Sequence, residues 1–377
     1  MPLPLYVPKE TKEHEKRVAL VPSVAAKLQK LGLEITMESG AGKAARIPDS
    51  AYTDAGVSLG SVEGAKLIFR VQPPSLEDIA QMPEGAVLCS FIYAQREPAV
   101  VKALQGRNIT CFAMELIPRI TRAQAMDALS SQAALAGYYA ALLAATQLNR
   151  ILPMMTTAVG SLRPARILVM GAGVAGLQAL ATAKRLGAMI EGYDVRPEVK
   201  EQVQSVGGKF VDTGVNAVGE GGYARELTDE EKQQVEAVLT RHVQQADAVI
   251  TTASIPGKPS PKILTEAQIM GMKDGAVIID LAAEGGGNTP LTKPGETIEV
   301  GPVSIIAPLN ITSHLAEHAS ELYSRNLLAL VTLMVQDGEL KLDWEDEVLA
   351  KSVLTHEGEI RNDAAREAVE NQSEGAL

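Results

Sequence analysis

Residues 166–194 read RILVMGAGVAGLQALATAKRLGAMIEGYD and decide the fold around them. The run RILVM is short and mostly apolar, as a buried parallel strand is, and a helical pattern follows it. Between the two, Gly171, Gly173 and Gly176 form G-x-G-x-x-G. Such glycines allow a tight turn, close approach of the backbone to a pyrophosphate, and close packing of helix on strand. The stretch therefore predicts the start of a dinucleotide-binding α/β domain.

An acidic residue ends the next predicted strand. Asp194 lies eighteen residues after Gly176, where a carboxylate can accept hydrogen bonds from both ribose hydroxyls and repel a 2′-phosphate. This position favours NAD over NADP, although the nearby cation of Arg196 could tolerate a phosphate. The alternative is a glycine-rich turn that holds no ligand. In that case the strand, the helix and the acidic residue would occur at this spacing by chance. We expect NAD(H) as the cofactor and no metal.

Strand and helix patterns alternate on both sides of this stretch, which predicts an α/β fold with two Rossmann-like domains built on parallel sheets. In the second domain the right-handed crossover rule makes 3-2-1-4-5-6 the default strand order. Its further predicted strands are KFVD (209–212), AVITTA (248–253), AVIIDLA (276–282) and SIIAPL (304–309). The first domain has a predicted helix over 22–31 and predicted strands over 33–37, 66–71, 86–92 and 109–116.

The domain boundaries are predicted from the chain's last helical pattern and from an uncharged stretch. Residues 128–149 carry no charge and are rich in Ala, which indicates a buried helix shared by two domains rather than a membrane span. The helical pattern over 313–335 and the charged tail after it follow the second domain's last strand. We expect them to return to the first domain, so that residues 1–129 and 318–377 form one domain and residues 130–317 form the other.

Composition excludes several classes of function. The net charge of −11 does not favour binding to the phosphates of nucleic acid and would repel an anionic lipid surface. The chain meets charge at Lys9 before any apolar run long enough for a signal peptide, so we expect a cytoplasmic protein. Its two cysteines are too few for a disulfide framework, which fits a reducing compartment.

Polar residues crowd the entrance to the uncharged stretch, in PRITRAQAMDALSSQ (118–132). If this segment is one helix, Gln124, Asp127 and Ser130 step by three along one side and can address one ligand together with Arg119. A capping box is the competing interpretation for Gln124, in which Thr121 caps the helix and Gln124 reaches back. That alternative leaves the other three residues unexplained.

Two weaker signals remain open. The Gly-rich, acidic segment 212–231, with Tyr223 as its only aromatic, is either a solvated loop or a lid over the nucleotide. His314 and His318 match H-x-x-E-H and would share a face of a helix, as zinc ligands do. No third ligand is identifiable, so a helix surface or a domain contact is the favoured interpretation of the two histidines.

Four stretches together resemble the NAD(H)-binding component of the proton-translocating NAD(P) transhydrogenase family, whose wider family includes alanine dehydrogenase. They are VPKETKEHEKRVALVP (7–22), MELIPRITRAQAMDALSSQ (114–132), GAGVAGLQALATAKRLGA (171–188) and TTASIPGKP (251–259). The resemblance implies a homodimer with NAD(H) in the cleft between two domains. It also implies hydride transfer to or from NADP(H) held by a separate beta subunit, coupled to proton movement by a membrane-embedded subunit on whose cytoplasmic side this chain docks.

The resemblance also assigns residues. Arg119, Asp127 and Ser130 would hold the nicotinamide carboxamide and its surroundings, and Gln124 would reach toward the partner's nucleotide. The implied cofactor contacts at the glycine-rich turn are Gly171, Ala172, Gly173, Val174 and Gly176, and those at the adenosine ribose are Asp194, Val195 and Arg196. Tyr223 corresponds to a mobile-loop tyrosine of the family, and three further contacts follow from a looser alignment: Gly222, Gln234 and Ser254.

Chemistry offers an independent check on the branch of this family. An amino-acid dehydrogenase needs a general acid or base beside the ring, whereas direct transfer between two nicotinamides needs none. Alanine dehydrogenase has Lys and His where this chain has Gln72 and Tyr93, neither of which suits that role near neutral pH. The alternatives are an alanine dehydrogenase-like enzyme with Arg17 on the substrate carboxylate, or an NAD-sensing module that uses the Tyr223 loop as a switch.

Overall fold

The computed structural model describes residues 2–215, 227–255 and 258–374 of the 377-residue chain. Two compact units are present, one of Met1–Gln132 with Ser313–Leu377 and the other of Ala133–Thr312. The sequence-based boundaries, after residues 129 and 317, stay predictions. Among the described residues, no helix has the length and apolar character needed to cross a bilayer.

The first unit contains an eight-stranded sheet, with strands and helices numbered in chain order across both units. Its strands are β1 (Leu3–Val7), β2 (Leu33–Met37), β3 (Ser58–Leu59), β4 (Leu67–Phe69), β5 (Val87–Ser90), β6 (Thr110–Ala113), β18 (Val353–His356) and β19 (Glu359–Ile360). The order is β3-β2-β1-β4-β5-β6-β18-β19. The first six strands are parallel, and β18 and β19 complete the sheet as an antiparallel hairpin.

Helices cover both faces of this sheet, which explains why its central strands read as continuous apolar runs. The helices are α1 (Pro22–Lys30), α2 (Asp49–Asp54), α3 (Leu76–Gln81), α4 (Pro98–Gly106), α10 (Ala316–Met334), α11 (Glu347–Ser352) and α12 (Asp363–Glu374). One apolar core lies between the sheet and α1, α2, α10 and α11, and a second lies between the other face and α3, α4 and α12. A short hairpin of β16 (Val335–Gln336) and β17 (Glu339–Leu340) follows α10.

The second unit contains a seven-stranded sheet and a separate two-stranded hairpin. Its strands are β7 (Met155–Thr157), β8 (Gly160–Leu162), β9 (Arg166–Met170), β10 (Met189–Tyr193), β11 (Lys209–Phe210), β12 (Ala248–Thr251), β13 (Ala276–Asp280), β14 (Thr297–Val300) and β15 (Val303–Ile306). The sheet order is β11-β10-β9-β12-β13-β15-β14. The predicted 3-2-1-4-5-6 order is therefore confirmed, with β14 added as an antiparallel edge strand that was not predicted.

The helices of the second unit are α6 (Val174–Arg185), α7 (Val199–Ser205), α8 (Asp229–Gln245) and α9 (Glu266–Met270). Helix α5 (Ala128–Gln147) begins in the first unit and continues into the second, because the boundary falls after Gln132. Most predicted strands extend a few residues beyond the observed ones, and two elements differ in a way that matters for the site. The strand predicted over 109–116 stops at Ala113, and the helix predicted over 313–335 begins as a 3-10 helix, Ile311–Leu315, before α10.

Candidate functional site

The glycine-rich turn between β9 and α6 has no room for side chains at two positions. Gly171 has a φ of +94°, and a Cβ there would lie 2.5 Å from Oγ1 of Thr252. A Cβ at Gly176 would lie 1.9 Å from the carbonyl oxygen of Gly171. At Gly173 the nearest heavy atom to such a Cβ is Nη2 of Arg196, at 4.0 Å. The first and third glycines therefore build the turn, and the second leaves its backbone open to a ligand.

Helix α6 begins at Val174 directly after this turn. Gly173 is its N-cap residue, and no side chain from the described residues caps it. The N–H groups of a helix's first turn lack partners within the helix, and they carry positive potential. Ala172 is buried beneath the turn, whereas the Val174 side chain is exposed. This is the arrangement that receives phosphate groups in dinucleotide-binding folds.

Asp194 joins the end of β10 to the glycine-rich turn. Its Oδ2 accepts a hydrogen bond from the Ala172 N–H at 2.8 Å. Arg196 donates to the same carboxylate through its backbone N–H (3.0 Å), Nε (2.9 Å) and Nη2 (3.0 Å). Burial acts to raise the pKa of Asp194, but the hydrogen bonds from Arg196 and Ala172 outweigh it and lower that pKa. The carboxylate stays ionised and ties the turn to the neighbouring strand end.

The loop after β12 is held against the same turn. Thr252 Oγ1 donates to the Gly171 carbonyl at 2.8 Å. The buried Asn288 accepts from the Ala253 N–H at 3.0 Å and donates to the Ala253 carbonyl at 2.8 Å. Ser254 follows on this loop with an exposed side chain. Sequence reasoning missed Thr252 and Asn288, although a threonine directly after a parallel strand was a signal for the first.

The remaining predicted cofactor contacts are less closely grouped. Val195 is half-buried beside Asp194. Gln234 is exposed on α8, and its Nε2 donates to the Thr213 carbonyl at 2.8 Å. Gly222 and Tyr223 lie outside the described residues. The structure therefore brings together the turn, Asp194 and Arg196, and it gives Gln234 a contact with the backbone after β11.

In the first unit, the polar segment that precedes α5 is not one helix. Thr121–Met126 form a 3-10 helix whose N-cap residue is Ile120, with no side-chain cap, so the predicted Thr121–Gln124 capping box is wrong. The backbone breaks at Asp127, with φ −69° and ψ 85°, and α5 starts at the next residue. The predicted step of three along one helix is therefore wrong as well.

Asp127 caps α5 and contacts one of the residues predicted to act with it. Its Oδ1 accepts from the Ser130 N–H at 2.8 Å, and its Oδ2 accepts from Ser130 Oγ at 2.6 Å. Both side chains are half-buried. The sequence left a Thr121–Gln124 cap open as an alternative, whereas the observed cap three residues apart is formed by Asp127 and Ser130. The residue that ends the 3-10 helix is the one free to cap the next helix.

Arg119 and Gln124 point into solvent. Both are exposed, and neither side chain has a hydrogen bond or ion pair with the part of the chain that the structure describes. Arg122, in contrast, forms a bidentate ion pair with Asp346, with both nitrogen-to-oxygen distances at 2.8 Å. Asp346 also caps α11. Arg122 therefore fastens the 3-10 helix to α11, while Arg119 and Gln124 are available to a ligand.

Comparison with known proteins accounts for nearly the whole chain. Residues 6–136 match the family model described as alanine dehydrogenase/PNT, N-terminal domain, and residues 140–363 match the corresponding C-terminal domain. The chain belongs to the alanine dehydrogenase/PNT family. The predicted family is thereby confirmed.

Members of the alanine dehydrogenase/PNT family differ in their similarity to this chain. A Rhodospirillum rubrum relative, named as the first portion of NAD(P) transhydrogenase subunit alpha, is 46% identical over 371 residues, covering 94% of this chain and 96% of the relative. A transhydrogenase structure from Sinorhizobium meliloti superimposes with a TM-score of 0.87 at 43% identity, covering 95% of this chain and 99% of the other. An alanine dehydrogenase from Mycolicibacterium smegmatis is 26% identical, covering 95% of this chain and 94% of the relative.

A buried ion pair in the first unit of this family member has its own polar network. Arg17 donates to Glu15 through Nε at 2.8 Å and Nη2 at 2.6 Å, and through Nη1 to Oε1 of Gln132 at 2.9 Å. Glu15 also accepts from Gln72 Nε2 at 2.7 Å and from Ser313 Oγ at 2.9 Å. Burial acts to raise the pKa of Glu15, but the hydrogen bonds, chiefly from Arg17, lower it to about 2. The Arg17 guanidinium is thus engaged on both sides.

The two histidines of H-x-x-E-H lie on different helical segments. His314 is in the 3-10 helix Ile311–Leu315, and His318 is in α10, so the expectation of one shared helix is wrong. Both side chains are exposed. Across the described residues, no group of three or more His, Cys, Asp or Glu side chains is placed to hold a metal ion.

Proposed function

We propose that this chain is the NAD(H)-binding component of a proton-translocating, Re/Si-specific transhydrogenase. It exchanges hydride with NADP(H) held on a partner beta subunit, and a membrane-embedded subunit couples the transfer to proton movement. The closely similar relatives named as transhydrogenase alpha subunits support this proposal. Docking on the membrane partner would place the chain at the cytoplasmic face.

The glycine-rich turn fits NAD(H) at the carboxyl end of the second unit's sheet. Gly173 and the first turn of α6 would receive the pyrophosphate, because backbone N–H groups and open space coincide there. Asp194 would face the adenosine ribose and repel a 2′-phosphate. Its acceptor positions are already used by Ala172 and Arg196. Ribose binding therefore requires the Arg196 guanidinium to release at least one of its contacts.

When bound, NAD(H) supplies or accepts the hydride. The residues of this chain would then align and shield the ring, since a direct transfer requires reacting carbons about 3 to 3.5 Å apart. Arg119, Asp127 and Ser130 would hold the ring's carboxamide side, and Gln124 would face the second nucleotide. Asp127 suits this role because its carboxylate is held by Ser130 while remaining half-exposed.

The hydrogen bonds of Arg17 to Glu15 and Gln132 are the observation that favours transhydrogenation over amino-acid oxidation. In the alternative, an alanine dehydrogenase-like enzyme, Arg17 would bind the substrate carboxylate. Here Glu15 already occupies its Nε and Nη2 side, and Gln132 accepts from Nη1. An incoming carboxylate would have to displace a buried anion whose other hydrogen bonds would be lost. Gln72, which donates to Glu15, has no proton to exchange near neutral pH.

Activity assays test the proposal. The purified chain mixed with an NADP(H)-binding component should transfer hydride between NADH and NADP⁺, or between analogues of these nucleotides with distinct absorbance. The chain alone should not oxidise alanine in the presence of NAD⁺. Alanine oxidation without transhydrogenation would overturn the proposal in favour of the dehydrogenase. NADH binding with neither activity would favour a sensing module.

A homodimer also belongs to the proposal, and the β7–β8 hairpin of the second unit supports it. The exposed apolar side chains of the hairpin are Met155, Leu162 and Val159, the last 98% exposed, and Met154 directly before it is exposed as well. Beside it runs an apolar groove of about 540 Å³, lined by Leu148, Ile151, Leu152, Pro153 and Leu186 among others. Exposed apolar groups of this extent mark association surfaces.

Light scattering after gel filtration tests the dimer. The parent chain should run as a dimer, and the double substitution Val159→Asp with Leu162→Asp should shift it to monomer. A matched control is Leu59→Asp, an exposed apolar residue of β3 in the first unit. A parent chain that is monomeric at high concentration would contradict the dimer.

A further inference from the structure

The residues proposed to align the ring lie on two elements that meet at a break. Gln124 is in the 3-10 helix Thr121–Met126, whereas Ser130 is in the first turn of α5. Asp127, between them, has a ψ of 85° and belongs to neither helix. Its N–H donates to the Gln124 carbonyl at 3.3 Å and its carbonyl accepts from the Ser131 N–H at 3.2 Å, so the torsion angles of this one residue set the direction of one element relative to the other.

A single buried amide bridges this break from a third element. Asn326 lies on α10 and is 6% exposed. Its Nδ2 donates to the Ala125 carbonyl at 2.8 Å, and its Oδ1 accepts from Ser131 Oγ at 2.7 Å. Ala125 adjoins Gln124 in sequence, and Ser131 adjoins Ser130. One planar group therefore fixes both sides of the junction to the same helix.

We propose that Asn326 is a positioning residue for hydride transfer. It would act through Ala125 and Ser131, and it would not touch the nucleotide. By holding the 3-10 helix and the start of α5 to α10, it would keep Gln124 on one side and Asp127 and Ser130 on the other in fixed relation. This inference rests on the proposed transhydrogenase function.

The chemistry of the amide explains why asparagine is required here. The Ala125 carbonyl needs a donor, and the Ser131 hydroxyl donates in its turn, so the bridging group must both donate and accept. A carboxylate can accept from Ser131 but would repel the Ala125 carbonyl. Asn326→Asp therefore removes the hydrogen bond to the Ala125 carbonyl of the 3-10 helix. Ser131→Ala removes the hydrogen bond between Asn326 and α5. Asn326→Leu, of similar shape, removes both hydrogen bonds.

The control comes from the same helix. Ser324 on α10 is 1% exposed, and its Oγ accepts from the Val21 N–H at 3.2 Å. Ser324→Ala therefore removes a buried polar contact of α10 that has no role in the junction. A purely structural role for Asn326 would make its variants behave like Ser324→Ala.

The experiment uses the full chain with its NADP(H)-binding partner and records three quantities for each variant. They are the single-turnover transfer rate by stopped flow, the NADH dissociation constant by nucleotide fluorescence, and the melting temperature. Asn326→Asp and Ser131→Ala should slow transfer roughly ten-fold or more, since misplacement of reacting groups by about 1 Å can cost about a hundred-fold. NADH affinity should change less than about two-fold, because adenosine and pyrophosphate contacts dominate it.

The outcomes separate the two proposals. Ser324→Ala should melt earlier but transfer at the parent rate. If Asn326→Asp and Ser131→Ala also keep the parent rate while the parent transfers, the positioning role is overturned and the proposed function stands. If the parent chain itself does not transfer hydride, both proposals fail. Should Asn326→Leu not fold, the two milder variants decide the question.

Discussion

Asp194 has one observed role at the glycine-rich turn and one proposed role in nucleotide selection, and the two can be separated experimentally. It holds the turn by accepting from the Ala172 N–H, and under the proposed function its buried negative charge would lie beside the ribose. The first role affects every nucleotide equally. The second would discriminate against a 2′-phosphate, so the ratio of the NADH and NADPH dissociation constants isolates it.

Asp194→Asn should therefore lower the preference for NADH over NADPH about ten-fold or more. The amide oxygen can still accept from Ala172, while the charge that repels a phosphate is gone and the Arg196 guanidinium is released from its ion pair. Fluorescence titration with both nucleotides measures the ratio. Asp274→Asn, at an exposed residue before the amino end of β13 and outside the predicted nucleotide contacts, is the matched control. An unchanged ratio would remove Asp194 from the selectivity argument.

Arg119 offers a cleaner test of ring alignment, because its side chain is exposed and has no polar partner among the described residues. Arg119→Ala should leave the melting temperature unchanged. It should reduce the transfer rate roughly ten- to a hundred-fold, as expected for loss of about 1.5 to 3 kcal/mol from a charge-assisted hydrogen bond. Lys102→Ala, at an exposed cation of α4 whose helix packs on the sheet's other face, should change neither quantity. Equal transfer rates for both variants would contradict the assignment.

At the scale of elements, the start of α5 combines a structural and a proposed functional role in one side chain. Asp127 caps the helix through the Ser130 N–H, and aspartate and asparagine are about equally good at that position. Alanine cannot cap. The two substitutions therefore divide the roles of this residue.

Asp127→Ala should lower the free energy of unfolding by about 1 kcal/mol and slow transfer as well. Asp127→Asn should keep the stability nearly intact but still slow transfer about ten-fold, because the negative charge is removed. Urea unfolding and stopped-flow transfer, measured on the same preparations, give both quantities. A rate that follows stability in both variants would show that Asp127 acts only as a cap.

The elements themselves show which features a sequence can reveal. Strand β9 was predicted at its observed residues, and a helix was predicted directly after the glycine-rich turn, where α6 lies, because apolar runs, glycines and helical spacing are local signals. The edge strand β14 and the hairpin β7–β8 were missed, since neither has a continuously buried face that would give a pattern. The 3-10 helix before α5 was missed because Thr121 and Gln124 imitate a capping box.

The candidate site likewise contains some features with a local sequence signal and others without one. The glycine-rich turn and Asp194 could be predicted because strand, turn and acid occur at known spacing. The contact of Asn326 with Ala125 and Ser131 spans about two hundred residues of sequence, and an asparagine within a helical pattern carries no signal of such a partner. The same is true of Arg122 with Asp346.

At the scale of the whole molecule, both units repeat one strand order around their first strand, with helices on both sheet faces. The central strands are mostly apolar as a result, and the buried charged residues of the described chain lie at strand ends and in loops. Glu10 is one of them. Its carboxylate accepts from the Val71 N–H at 2.6 Å and lies 3.8 Å from the Arg70 guanidinium.

Glu10 should make the stability of the molecule fall as pH rises between about 5 and 7. Burial raises its pKa from 4.5 to about 7, although Arg70 opposes the shift. In that window the folded protein binds a proton that the unfolded chain has lost, so the stabilisation is complete below pH 4.5 and is lost as pH rises through about 7. The slope contributed by one group reaches at most about 1.4 kcal/mol per pH unit.

Glu10→Gln should remove this contribution, because an amide keeps an acceptor for Val71 but does not titrate. Urea unfolding of parent and variant at several pH values from 5 to 8 gives the difference in slope, in which the contribution of Glu115, whose pKa burial also raises to about 7, cancels. Glu13→Gln, at an exposed residue of the same loop, should leave the slope unchanged. If the parent and Glu10→Gln have parallel stability profiles, Glu10 keeps one protonation state throughout this range. The raised pKa would then be wrong, and the ion pair with Arg70 would be dominant.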